Sequence, residues 1–210
     1  MSESRPWTNA GLWLTALAGS FLALGQPAAA EERTCQVTQV TGQATLFHAN
    51  TPSDVAVGTA LSARDRMVTG PSGRVEVVCS DQALVTIGPD TDVSLGSLVG
   101  EQGEDTSIGM SLHRGIARFL APVRTWGTFN VFGPVAVASV RSTEWVMETP
   151  KGTSVFVIAG LVDVVSTRGD TARLSPGEGI DVGPDGAMTG APKQWGAKRV
   201  ADTLARLGLQ

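Results

Sequence analysis

From Cys35 to about residue 182 the apolar positions recur every second residue, not every 3.6. The runs VTQVTGQATLF, GRVEVVC, ALVTIG, ARFLAPV, FNVFGPVAVASV, SVFVIAGLVDVVS and EGIDVG carry this period. It belongs to strands, whose successive side chains point to opposite faces. Turns are expected at GPSG (70–73), GPD (88–90) and GPDG (183–186), which punctuate the runs. Many short strands at close spacing predict an all-β, two-sheet sandwich or roll rather than a βαβ fold. The stretches TGPSGRVEV (69–77) and TPKGTSVFV (149–157) are faintly alike. An internal duplication would explain that, and so would the ordinary grammar of a turn followed by a strand.

The two ends break the alternation. Residues 11–25, GLWLTALAGSFLALG, are continuously apolar, but about 15 residues are short for a membrane span, which needs about 20. Pro27 follows, and Ala28 and Ala30 supply small residues at the −3 and −1 positions before Glu31. Residues 1–30 therefore read as a signal peptide cleaved after Ala30, with an uncleaved anchor as the alternative. The mature chain is expected in the periplasm or secreted, with no stable membrane anchor. At the other end, KQWGAKRVADTLARLGLQ places Ala197, Val200, Ala201, Leu204 and Leu207 at helical spacing, with Gly208 as a stop. The expected organisation is a leader (1–30), a β domain (31–190) and a helical tail (191–210). A helix this short is marginal alone in water, so its stripe must be buried on the β domain or on a partner. The Gly- and Pro-containing segment GPDGAMTGAPK (183–193) would let it detach, making Val200, Leu204 and Leu207 candidate partner contacts.

Charge changes this picture little. Removing the leader takes away Glu3 and Arg5 and leaves the net charge at −4. That argues against a nucleic-acid binder, which would usually be basic. Residues 81–105 hold acids without Lys or Arg, and residues 106–143 hold Arg114, Arg118, Arg124 and Arg141 without an acid. Such segregation either steers a partner or is neutralised by neighbouring strands. Cys35 and Cys79 can oxidise in an exported protein. Their disulfide would stabilise by roughly 3–4 kcal/mol in the chain-entropy model. Two separate buried thiols are the other reading.

Candidate chemistry is sparse. His48 and His113 have neither a partner at i+4 nor a neighbouring Cys, so no zinc spacing arises. GMSLH (109–113) lacks the second glycine of a nucleophile elbow, and no phosphate-binding glycine loop is present. Asp90, Asp92, Ser94 and Glu101 echo a calcium loop, but Leu95 stands where its turn needs Gly. No metal, no cofactor and no enzymatic activity are expected.

The hexapeptide VRSTEW (140–145) is the least regular stretch. Before it, Ala136, Ala138 and Val140 share a face; after it, Thr143, Trp145 and Met147 do, so parity must change near Arg141 and Ser142. An irregular residue there would bring Arg141 and Glu144 to one side, as a structural latch between a guanidinium and a carboxylate. A catalytic Glu144 assisted by Arg141 is the sharper alternative, but no second acid, nucleophile or His lies nearby in sequence.

VRSTEW also resembles the V-R-G-T-E-F signature of the FecR-like periplasmic domain family. GTALSARDRMVTGPSGRVEVVCSDQALVTIGPDTDVSL (58–95) is similar to its long N-terminal block, and SLHRGIARFLAPV (111–123) to its leucine and glycine-arginine segment. VFVIAGLVDVVS and LSPGEGIDVGPDG, within 155–186, resemble its closing hairpin and glycine turn. Ser142 replaces Gly, Trp145 replaces Phe, and SDQ (80–82) stands where the family tends to have Asp-Gly. The resemblance implies an all-β, two-sheet fold and a non-catalytic signature. It also implies a role in signal transduction by protein binding in the cell envelope, as in periplasmic halves of iron-transport regulators. About ten residues precede the apolar segment, too few for a cytoplasmic sigma-binding domain. The expectation is thus a freestanding exported module whose partner is another envelope protein. A carbohydrate- or cell-wall-binding module, with Trp126, Trp145 or Trp195 as stacking platforms, is the runner-up; an envelope hydrolase follows.

Overall fold

The computed structural model describes residues 32–98, 100–101, 107–121, 128–149 and 151–209. In chain order the strands begin with β1 (Glu32–Arg33), β2 (Cys35–Thr41), β3 (Ala44–His48), β4 (Thr51–Asp54), β5 (Ala60–Leu61), β6 (Asp65–Thr69) and β7 (Arg74–Cys79). They continue with β8 (Leu84–Ile87), β9 (Asp92–Ser94), β10 (Gly100–Glu101), β11 (Ile108–Arg114), β12 (Ile116–Ala121), β13 (Phe129–Phe132) and β14 (Ala136–Val140). The last are β15 (Thr143–Glu148), β16 (Thr153–Ala159), β17 (Val162–Ser166), β18 (Thr171–Leu174), β19 (Glu178–Val182) and β20 (Lys193–Gln194), before the helix α1 (Ala197–Arg206).

Two nine-stranded sheets result, as the period-two pattern predicts. The first has the order β18-β17-β14-β13-β11-β9-β6-β3-β4, and the second β20-β19-β16-β15-β12-β8-β7-β2-β5. Pairing is antiparallel except between β11 and β13. The chain repeatedly changes sheet, so strands close in sequence often end in different layers. Alternation turns one side of each strand inward: Val75, Val77 and Cys79 of β7 are buried, whereas Arg74, Glu76 and Val78 are not. One core of buried Val, Leu, Ile, Met and aromatic side chains takes residues from both sheets.

Cys35 and Cys79 are register partners on β2 and β7, with Cα atoms 4.0 Å apart, and they form a disulfide. The two look-alike turns differ in what they connect. Residues 69–77 lead from β6 in the first sheet into β7 in the second, while 149–157 follow β15 and include the start of its neighbour β16 in the same sheet. The two stretches thus make different kinds of connection, which the ordinary grammar of a turn followed by a strand accommodates. The segregated charges are also only partly cross-neutralised. β9 and β11 do lie side by side, yet Asp92 pairs with Arg66 and Asp81 with Arg33, both from earlier in the chain.

A second, smaller apolar cluster joins Ile116, Val146 and Leu207, with Ile158, Leu204 and Leu209 packed against it. Ile116 and Val146 alternate with the core residues Ala117, Trp145 and Met147, so they project from the outer face of the second sheet. The tail covers them. Its β20 extends the second sheet by pairing with β19, so the tail is continuous with the β domain from Lys193 onward.

Candidate functional site

VRSTEW is a corner between layers. Val140 ends β14 in the first sheet, Arg141 and Ser142 form a bend, and Thr143 begins β15 in the second. The expected change of parity is this change of sheet, followed by a register shift opposite β16 between Glu144 and Trp145. Thr143 donates its hydroxyl to Leu161 O at 3.0 Å, tying the corner to the return crossover from β16 to β17. Gly160 lies in that crossover with φ +86°, and a Cβ there would sit 2.5 Å from Ser142 O. Ser142 itself has no positive φ, so Ser in place of Gly costs nothing in backbone strain.

The Arg141–Glu144 latch is not formed. Glu144 accepts from Arg118, at 2.7 Å from Nε and 2.5 Å from Nη2. Arg118 lies on β12, whose pairing with β15 sets Leu120 opposite Glu144. Arg141 is exposed and makes no ion pair or hydrogen bond among the described residues. The cross-strand neighbour wins because it faces Glu144 on the same side of a regular sheet, whereas Arg141 sits on the bend. Trp145, by contrast, is fully buried. Its ring stacks on Phe119 at 4.9 Å between centroids and meets Phe129 edge-on at 5.4 Å. The exposed part of the signature is Arg141 and Ser142, and its packing part is Val140, Thr143 and Trp145.

Trp195 is buried too. It stacks on Phe156 at 4.9 Å, and the Arg199 guanidinium covers it at 3.4 Å from the ring centroid. Gly179 makes this possible, because a Cβ there would lie 2.3 Å from Trp195 Nε1. Neither indole is a free stacking platform. Trp126, like residues 1–30 and the cleavage site, lies outside the described residues.

One Ser–His–Asp grouping, which sequence spacing did not reveal, comes together at the edge of the first sheet. His48 Nδ1 is 2.7 Å from the buried Asp65 carboxylate, and Ser62 Oγ donates to the same carboxylate at 3.1 Å. Ser62 Oγ is also nearest the same ring nitrogen, at 3.4 Å. A nucleophile relay needs serine and carboxylate on opposite ring nitrogens, so this grouping pins a turn and does not activate Ser62. His113 Nε2 contacts Ser94 Oγ at 2.8 Å. Asp92, from the calcium-like string, is held by both Nε and Nη2 of Arg66. No group of three or more metal-ligating side chains occurs among the described residues.

The most heavily furnished surface is the outer face of the second sheet under α1. Leu207 is 1% exposed, Thr203 is buried, and Val200 and Leu204 are half-buried, while Ala197 and Ala201 face solvent. The buried face is thus rotated from the expected stripe, and Leu207 is spent on the β domain itself. Two carboxylates cause the rotation. Arg199 binds Asp181 at 2.5 Å and lies 3.9 Å from Glu148, and Arg206 binds Glu148 as well. The hydrogen bond from Arg199 holds the Asp181 carboxyl below its ordinary range, against the opposing effect of burial, with Ser154 and Lys193 adding to the lowering. Arg74 Nη2 donates to Arg206 O at 3.0 Å, capping the carbonyl end of α1. Among the described residues no helix is long and apolar enough to cross a membrane.

Residues 65–163 match the family model described as FecR protein. That stretch runs from the start of β6 into β17, so it contains VRSTEW but neither the disulfide strand β2 nor the tail. Two crystal structures, each described as a "putative anti-sigma factor" from Parabacteroides distasonis ATCC 8503, share the fold with TM-scores of 0.54. They are 18% and 19% identical to this chain, over 65% of its length and 62% of theirs. The chain thus spans less than two thirds of those relatives' length. No curated protein matches the sequence. Residues 65–163, just under half of the chain, are thus similar to the FecR family.

Proposed function

We propose that this protein is an exported, non-catalytic signalling module that works by binding another protein of the cell envelope. The FecR match over 65–163 is the observation that carries this reading. Two further features support it. A leader-like segment precedes the domain, and the Cys35–Cys79 disulfide suits an oxidising compartment. Burial of Trp145 and Trp195 counts against stacking of sugars on these rings. The placement of Ser62 and Asp65 on one nitrogen of His48 counts against a serine hydrolase. The anti-sigma-factor description of the structural relatives fits a regulatory role for this chain.

The test expresses the chain with its own leader and recovers it by osmotic shock. A mature N-terminus at Glu31 and a specific cross-link to an envelope protein are expected. An intact Met1 in the soluble cell interior, or turnover of a cell-wall substrate by the purified protein, would overturn the reading.

A further inference from the structure

We propose that the outer face of the second sheet is a receptor for a basic amphipathic helix of a partner protein, with α1 as its resident and displaceable occupant. This rests on the protein-binding reading above and specifies the chemistry of the partner. The face has an apolar floor of Ile116, Val146 and Ile158. Phe156 lies at one side, and Glu148 and Asp181 flank it. Glu148 is 7% exposed, and its ion-pair partners among the described residues are Arg199 and Arg206, both from the tail. A buried carboxylate without a cation is costly, so this surface requires a basic occupant.

The tail shows what fits. Arg199 and Arg206 are seven residues apart, two helical turns, and therefore reach the same flank. Leu204 and Leu207 meet the floor between and beyond them. An indole four residues before the first arginine fills the space over Phe156 and Gly179. The partner segment has this chemistry: an aromatic residue, then basic residues at i+4 and i+11, with apolar residues between and after them.

The tail is poorly built as a permanent cover. α1 has ten residues, its N-cap is Gly196 with no side-chain cap, and no acid lies in its first turn. Those features leave a helix that depends on docking for its existence. Its tether to the sheet contains Gly183, Gly186 and Gly190, and β20 is a two-residue strand. Beyond the carbonyl end of α1 the same face continues as an open cleft of about 160 Å³, lined in part by Gln39, Arg74, Glu76, Thr86 and Arg118.

The probe is a fluorescein-labelled peptide of residues 193–209, titrated into the full mature chain and followed by anisotropy. Apparent affinity falls by the fraction of receptors left open, so an internal occupant hides the site. The Arg199→Ala/Arg206→Ala variant should bind the peptide at least about 10-fold more tightly than wild type. Adding Glu148→Gln and Asp181→Asn to that variant should abolish binding, as should replacing both arginines of the peptide by Gln. Equal binding to wild type and tail variant would overturn the proposal, as would no binding to a folded tail variant. Unfolding of the tail variant would also overturn it, because α1 would then belong to the core. A dimer of the unmutated chain held by exchanged tails would overturn the assignment to a partner protein. None of these failures touches capture of an envelope protein through another surface, which tests the broader reading separately.

Discussion

Truncating Trp145 separates the packing role of the signature from any role of its exposed residues. Trp145 is 0% exposed, and its ring is held between Phe119 and Phe129 in the centre of the core. Loss of a buried aromatic side chain costs about 3–5 kcal/mol in transfer and cavity terms. The two ring contacts place Trp145→Ala at the upper end, since each aromatic pair adds about 0.5–1.5 kcal/mol beyond area. For a chain of this size, each kcal/mol lowers Tm by roughly 2–4 °C, so the variant should melt roughly 6–20 °C lower. Trp145→Phe should cost much less. It keeps most of the stacking and removes an indole N–H that has no hydrogen-bond partner among the described residues. Arg141→Ala, on an exposed bend, should stay within about 0.5 kcal/mol of wild type. The assay is urea unfolding followed by far-UV circular dichroism, because from Glu31 onward the chain also holds Trp126 and Trp195, whose emission would confuse fluorescence. An Arg141→Ala variant as unstable as Trp145→Ala would refute this division of the signature.

Three other outcomes follow from the geometry. Arg118→Ala strands the Glu144 carboxylate, which is partly exposed, and should cost about 1–2 kcal/mol by urea unfolding, between the surface and buried limits; no change would mean that solvent already screens the pair. Gly179→Ala drives a Cβ into the Trp195 ring and the Val155 carbonyl and should destabilise by about 1–3 kcal/mol, and an unchanged Tm would show that the indole moves freely. The folded pKa of Asp181 is depressed, so its contribution to docking is intact above the unfolded value of about 3.9 and is lost as pH falls through the lower folded value. Acid should therefore undock α1, with Glu148, Arg206 and Lys193 also facing the contact. A Trp195 emission shift absent from a Trp195→Phe control would report it, and a shift coinciding with global unfolding would count against separate release.

The strands were legible because their signal is local. Alternation in RVEVVC or SVFVIA marks one face of a strand wherever it finally pairs. Sheet membership was not legible, since β14 and β15 read as one interrupted strand and yet belong to different layers. The irregularity at Arg141 and Ser142 was visible, but its reason lies in the Leu161 and Gly160 crossover, 18 residues away in the case of the Thr143 hydrogen bond. The partner of Glu144 was missed for the same reason: Arg118 becomes its neighbour only through β12–β15 pairing. The tail helix was readable from its spacing, but its orientation was not. Nothing in residues 197–207 announces that Glu148 and Asp181 wait on the sheet and draw Arg199 and Arg206 inward, leaving Ala197 and Ala201 in solvent. Arg74 as the cap of α1 had no signal at all, because its contact spans 132 residues.

Capture of a protein partner tests the central claim most directly. The mature chain is immobilised and exposed to envelope extract, beside an unrelated disulfide-bonded β-sandwich as control, and retained material is quantified by mass spectrometry and by glycan analysis. One envelope protein retained near stoichiometry by this chain and not by the control is the expected result. Retention of cell-wall fragments instead, with no protein above the control, would contradict it.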